Sequence, residues 1–129
     1  MKEAIETFLD HAALTLDDAE FLLQDGRKLA LANRAYYAVF YCLSALLLTE
    51  GITTKKHSGA LSKFNELFVK TSRFDIAAGK LVAHSFNARQ SADYDMQSDI
   101  TDELAQQLLH DARHFYDLTL AYLRQHPVE

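Results

Sequence analysis

The sequence predicts an all-α protein, an up-and-down antiparallel bundle of about five helices. Helix breakers are scarce: 129 residues hold only 4 Gly and 1 Pro, and Pro127 is third from the end. Long segments repeat apolar residues at spacings of 3 and 4, the period of a helix face. Hydrophobic residues make up 49% of the chain, enough for a full core, so residues 1–129 read as one domain. The connections are short, which favours antiparallel neighbours.

The first helix is predicted over about residues 2–23, with Ile5, Phe8, Leu9, Ala12, Leu16, Ala19 and Leu23 on one buried stripe. Asp25-Gly26 ends it, Gly26 being free to take the left-handed cap conformation. The second covers about 27–49 and is apolar nearly all round: Leu29, Leu31, Ala32, Ala35, Tyr36, Val39, Phe40, Leu43, Leu46 and Leu47. Such a helix is central and touched on several sides. Its exception is a polar stripe, Arg34, Tyr37, Tyr41 and Ser44, which reads as an exposed or groove-facing edge. Glu50-Gly51 closes it. A loop over 52–56 leads past His57 to a shorter third helix over about 58–69, with Leu61, Phe64, Leu67 and Phe68 inward. After a break at 71–73, Asp75 caps a fourth helix reaching about Arg89, with Ala77, Leu81, His84 and Ala88 on its inner side. Residues 90–97 read as a polar junction. Ser98 or Asp99 then caps a fifth helix extending to about 125, with Asp102 and Glu103 in its first turn and Ile100, Leu104, Leu108, Ala112, Phe115, Thr119 and Tyr122 on its stripe.

Composition narrows the function classes. The single Cys42 lies in an apolar run, so there is no disulfide framework; it reads as a buried small hydrophobe in a reducing compartment. Acids stand in the first six residues, where a signal peptide needs a basic start, and the strongly apolar run 43–48 is too short to span a bilayer. A cytoplasmic protein without a membrane partner is the expectation. The net charge of −5 argues against a surface that coats nucleic acid generally. The charge is unevenly placed, however. Residues 55–89 hold Lys55, Lys56, Lys63, Lys70, Arg73, Lys80 and Arg89 against Glu66 and Asp75, a net +5 that leaves −10 for the remainder. The segment reads either as a solvated helix pair or as a site for phosphate or an acidic partner.

No glycine-rich phosphate loop and no nucleophile elbow is present. His110 and His114 have the i, i+4 spacing of a metal pair, but Asp111-Ala112-Arg113 stands between them without the Glu of a zinc-protease helix. They read as surface histidines, and no metal or cofactor is expected. His84 reads as a hydrogen-bonded packing residue. The densest chemistry is the run Arg89-Gln90-Ser91-Ala92-Asp93-Tyr94-Asp95 at the end of the fourth helix. Arg89 can pair with Asp93 or Asp95 and pin the junction, and Tyr94 can pack with its hydroxyl at the rim. The functional alternative is that Arg89 holds a phosphate.

The segment Ala32-Asn33-Arg34-Ala35-Tyr36-Tyr37-Ala38-Val39-Phe40 resembles the second helix of HEPN domains. His57 and the pattern Arg89-x-x-Ala92-Asp93-Tyr94 resemble one bacterial and archaeal branch of that family, and the resemblance covers about residues 5–124. It implies a bundle that forms a homodimer, often paired with a minimal nucleotidyltransferase as a toxin–antitoxin system. Many HEPN domains are metal-independent ribonucleases carrying Arg, four to six residues, then His. An imidazole suits removal of the 2′-hydroxyl proton because its pKa lies near neutrality, while arginine stabilises the phosphate. Arg89 matches the arginine. Tyr94 falls at the histidine position, and a phenol with pKa about 10 is a poor base at neutral pH. His57 and His84 are distant in sequence; either could fold near Arg89 and replace the missing base, though nothing in the spacing demands it.

The resemblance therefore implies a nucleotide- or RNA-phosphate-binding or partner-binding module, with Arg89, Lys55, Lys56, His57, Arg34 and Tyr37 as binding residues. Arg89, Asp93 and Tyr94 are the candidates for any chemistry, including acceptance of a nucleotidyl group by Tyr94. The alternative is a metal-independent HEPN ribonuclease toxin.

Overall fold

The computed structural model describes residues 2–94 and 100–128, apart from the side chain of Tyr94. Five α-helices follow one another: α1 (Lys2–Gln24), α2 (Lys28–Leu48), α3 (His57–Phe64), α4 (Ile76–Tyr94) and α5 (Asp102–Gln125). One π-helical turn, Asn65–Val69, continues α3. The architecture is the all-α bundle that the breaker count and the apolar spacing predict.

The apolar sequence of α2 is explained by its position: it packs against α1, α3, α4 and α5. Leu31, Ala35, Tyr36, Ala38, Val39, Cys42, Leu43, Ala45 and Leu46 are all at 0% exposure. This helix has the length and mean hydropathy of a membrane span, and two-thirds of that window is buried inside the bundle. Leu29 departs from the expected core, at 43% exposure in the first turn. Burial of Cys42 pushes its thiol up to about 12, which keeps it un-ionised as a packing residue.

Both predicted glycine stops form, by the same geometry. Gly26 and Gly51 have φ of +72° and +71°. Arg27 N donates to Leu22 O (2.9 Å) and Gly26 N to Leu23 O (3.1 Å); Ile52 N donates to Leu47 O and Gly51 N to Leu48 O, both at 3.0 Å. These are paired Schellman bonds, which satisfy the last carbonyls of each helix. Ile52 then packs on the core.

A ring cluster fills the end of the bundle near the π turn. Phe64 lies 5.8 Å from Phe68, 5.3 Å from Phe74 and 5.5 Å from Phe115, centroid to centroid. Polar pairs tie elements together outside it: Lys28 to Asp102 at 3.0 Å, Arg113 to Glu20 at 3.1 Å, and Arg73 to Glu50.

Two helix ends and one register differ from expectation. His57 is the first residue of α3 and does not precede it. The fourth helix continues past Arg89 to Tyr94, so residues 90–94 are helical and do not form a junction. Its inner row is Ala78, Val82 and Ser85, one position on from the predicted Ala77, Leu81 and His84; Ala77 and His84 are exposed, while Leu81 and Ala88 are partly buried. Asp75 does cap this helix, accepting from Ala78 N at 2.9 Å. The cap of α5 is Thr101, whose hydroxyl accepts from Leu104 N at 3.1 Å. The proposed caps Ser98 and Asp99 lie outside the described residues.

A Cβ at Gly26 meets nothing within 4 Å, so Gly26→Ala isolates the backbone cost of a left-handed residue. Urea unfolding should show a loss of about 1–2 kcal/mol for it. Phe115→Ala, at a site with 0% exposure, should lose about 3–5 kcal/mol.

Candidate functional site

The polar edge of α2, the first residue of α3 and the last turns of α4 meet at one place. Arg89 Cζ lies 5.6 Å from the centroids of both the Tyr36 and the Tyr37 rings. His57 stands over the same pair, 5.2 Å from Tyr36 with planes 23° apart and 5.5 Å from Tyr37 nearly edge-on. It stacks closest on Phe40, at 4.4 Å and 16°. Phe86 of α4 meets the Tyr36 ring at 5.6 Å. Arg34 completes the group, its Cζ 4.9 Å from the Tyr37 centroid.

Helix geometry delivers these side chains. Tyr36 and Phe40 are one turn apart on α2, as are Arg34 and Tyr37. Extension of α4 to Tyr94 places Arg89 and Asp93 at i, i+4, where Asp93 Oδ2 lies 2.8 Å from Arg89 Nε. The two side chains are only 16% and 28% exposed. The oxygen is near the nitrogen without lying along its N–H direction, so Arg89 Nε is paired in charge and still lacks an aligned hydrogen bond. The alternative partner, Asp95, lies outside the described residues.

Among the described residues, three buried polar atoms without hydrogen-bond partners fall in this one cluster: Arg89 Nε, Tyr36 Oη and His57 Nδ1. Buried polar groups are nearly always satisfied, and each orphan costs about 1–3 kcal/mol. Burial pushes the Tyr36 phenol far above its ordinary value of 10, against a smaller pull from Arg89. His57 is held below 6.5, first by burial and then by the Arg89 cation. The imidazole is therefore neutral at pH 7, with one nitrogen able to accept a proton.

The structure thus brings together Arg34, Tyr37, His57, Arg89 and Asp93 from among the residues singled out in the sequence. Lys55 and Lys56 are exposed in the loop just before α3. Tyr94 ends α4. His84, expected as a packing residue, is exposed because α4 turns Ser85 inward in its place. The basic segment is partly neutralised, with Lys63 bonded to Glu66 and Arg73 to Glu50. His110 and His114 are exposed on α5, and among the described residues no three potential metal ligands converge. Sequence reasoning missed Tyr36 and Phe86 as members of the site. The doubled Tyr36-Tyr37 was the available signal, since adjacent helix positions send one ring inward and leave the other at the rim.

The sequence profile of the HEPN domain matches residues 5–122. A Methanocaldococcus jannaschii protein named "Putative toxin" is 38% identical over 122 residues, covering 95% of this chain and 83% of that protein. Another protein of that organism with the same description is 32% identical, over 91% of this chain and 87% of its own length. A UPF0332 protein of Thermotoga maritima is 38% identical over 116 residues, 90% of this chain and 88% of that one.

The neutral state of His57 has a pH consequence. Its pKa is near 6.5 in the unfolded chain and lower in the folded one. Between those values the unfolded state binds the extra proton, so stability falls as pH drops through that window and is fully retained above 6.5. Melting at about pH 7.5, 6.5 and 5.5 should show a steeper acid-side fall for the wild type than for His57→Gln.

Proposed function

The chain belongs to the HEPN domain family, and from that premise we propose that it is a toxin-class module that binds nucleotide or RNA phosphate at Arg89. The observation that supports this reading is that Arg89 Nε, Tyr36 Oη and His57 Nδ1 gather in one cluster without a hydrogen bond among the described residues, Arg89 Nε having only its charge pairing with Asp93. Each of these polar atoms carries hydrogen-bonding capacity that its described neighbours do not use. An anion that draws on Arg89 and its neighbours uses that capacity, and arginine is the residue suited to a phosphate. The "Putative toxin" names of two relatives support the toxin class. Pairing with a minimal nucleotidyltransferase and homodimerisation belong to the same reading; Leu14 and Phe21, 65% and 70% exposed seven residues apart on α1, support a covered face.

Isothermal titration with AMP and with a short RNA tests it. The wild type should bind, and Arg89→Ala should lose about 10-fold to 100-fold in affinity, as expected for a charge-assisted contact. Absence of binding by the wild type overturns the reading.

A second reading, metal-independent RNA cleavage, is favoured by one feature. His57 shares the Tyr36 and Tyr37 rings with Arg89 and is in its neutral form, the form a general base needs. Incubation with structured RNA in EDTA should then give cleavage that falls by about 10²–10⁴ in His57→Ala. RNA left intact by the wild type removes this reading and leaves phosphate binding standing.

A further inference from the structure

One helix accounts for the net charge of the protein. α1 carries Glu3, Glu6, Asp10, Asp17, Asp18 and Glu20 against Lys2, a net −5 that equals the net charge of the whole chain. The remaining residues balance to zero.

Three of those acids share a face with two large apolar side chains. Asp10, Leu14, Asp17 with Asp18, and Phe21 follow one another at spacings of 3 and 4. This face lies opposite the buried row Ile5, Ala12, Leu16 and Ala19, so the packing of the bundle asks for no apolar residue there. Leu14 and Phe21 are nevertheless 65% and 70% exposed on it. Among the described residues α1 packs on α2 and α5 and on neither α3 nor α4, which carry His57 and Arg89. The face is therefore separate from the Arg89 cluster.

The order of charges selects the occupant. A second copy fits poorly in each antiparallel register. Centred between Leu14 and Phe21, the contact sets Asp17 against Asp18 of the second copy; centred on Leu14, Asp10 against Asp18; centred on Phe21, Asp17 against Asp25. Like charges facing each other across an interface oppose it. The same acids repel nucleic acid and anionic lipid.

We propose that the outer face of α1 docks a cationic amphipathic helix of another protein. Its apolar residues cover Leu14 and Phe21, and its Lys or Arg side chains meet Asp17 and Asp18 between them. This rests on the reading of Leu14 and Phe21 as a covered face and names the kind of partner.

Two synthetic helices of about three heptads test it, alike in their leucine seam, with arginine flanking the seam in one and glutamate in the other. The wild type should bind the arginine helix at least about tenfold more tightly than the glutamate helix. Leu14→Ser with Phe21→Ser should lose about tenfold on the arginine helix. Asp17→Asn with Asp18→Asn should lose about fivefold or more and flatten the salt dependence. Removing two exposed acids from α5 instead, by Glu103→Gln with Asp117→Asn, should change the affinity less than about twofold. Equal binding of the two helices, equal losses in the two charge variants, or no binding by the wild type overturns the cationic partner. Light scattering separates that failure from failure of the covered face. A wild-type dimer that Leu14→Ser with Phe21→Ser converts to monomer places a second copy on the face, which overturns the cationic partner and keeps the covered face. No binding of either helix, with an oligomeric state that the same substitutions leave unchanged, overturns both.

Discussion

The burial of α2 is the constraint on which the rest of the structure depends. One helix touches the other four, so nearly every side chain it carries must be apolar or small. Only a narrow edge is left for polar groups, and Arg34, Tyr37, Tyr41 and Ser44 occupy it. Tyr36 shows how sharp the boundary is. It is one residue from the edge and fully buried, which strands its hydroxyl in the interior. An apolar side chain of that size would avoid the cost. A phenol at this position means that the inner margin of the site was built from the core helix itself.

The other elements converge on that edge for separate reasons. The Gly51 turn reverses the chain at the end of α2, and α3 opens with His57 against Phe40. The phenylalanine cluster and the π turn hold α4 alongside α2, and the i, i+4 attraction between Arg89 and Asp93 supports the last turns of α4. Three segments far apart in sequence thus share the Tyr36–Tyr37 pair as a common neighbour. The ion pair is modest in itself, because Asp93 keeps part of its contact with water. Its larger effect is positional, fixing the guanidinium over the rings.

What was legible in the sequence follows from which signals are local. Gly26 and Gly51 each stop a helix because only glycine takes that backbone shape cheaply, and no distant contact is needed to read it. The α2 core was legible from composition alone. The register of α4 was not, since alanines and aliphatics occupy both the 77, 81, 84, 88 row and the 78, 82, 85 row. Contact with the π turn, through Gly79 lying close to Asn65 and Val69, accompanies the register that forms. The polar run after Arg89 was read as a junction because polarity resembles a loop, whereas the pairing of Arg89 with Asp93 is a helix signal. His57 could not be assigned to Arg89 from spacing, because their proximity is created by α2 and by nothing between residues 57 and 89.

The same proximity alters the meaning of Tyr94 at the position where the family's ribonucleases have histidine. A histidine from α3, His57, shares the Tyr36 and Tyr37 rings with Arg89. On the proposed reading, its protonation is coupled to an anion at Arg89. Arg89 helps keep His57 neutral, and an anion at Arg89 weakens that influence and lets the imidazole take up a proton more readily. By linkage, protonation of His57 must in turn favour the anion. On the proposed reading, the two groups would act as one unit in which phosphate and proton promote each other's binding.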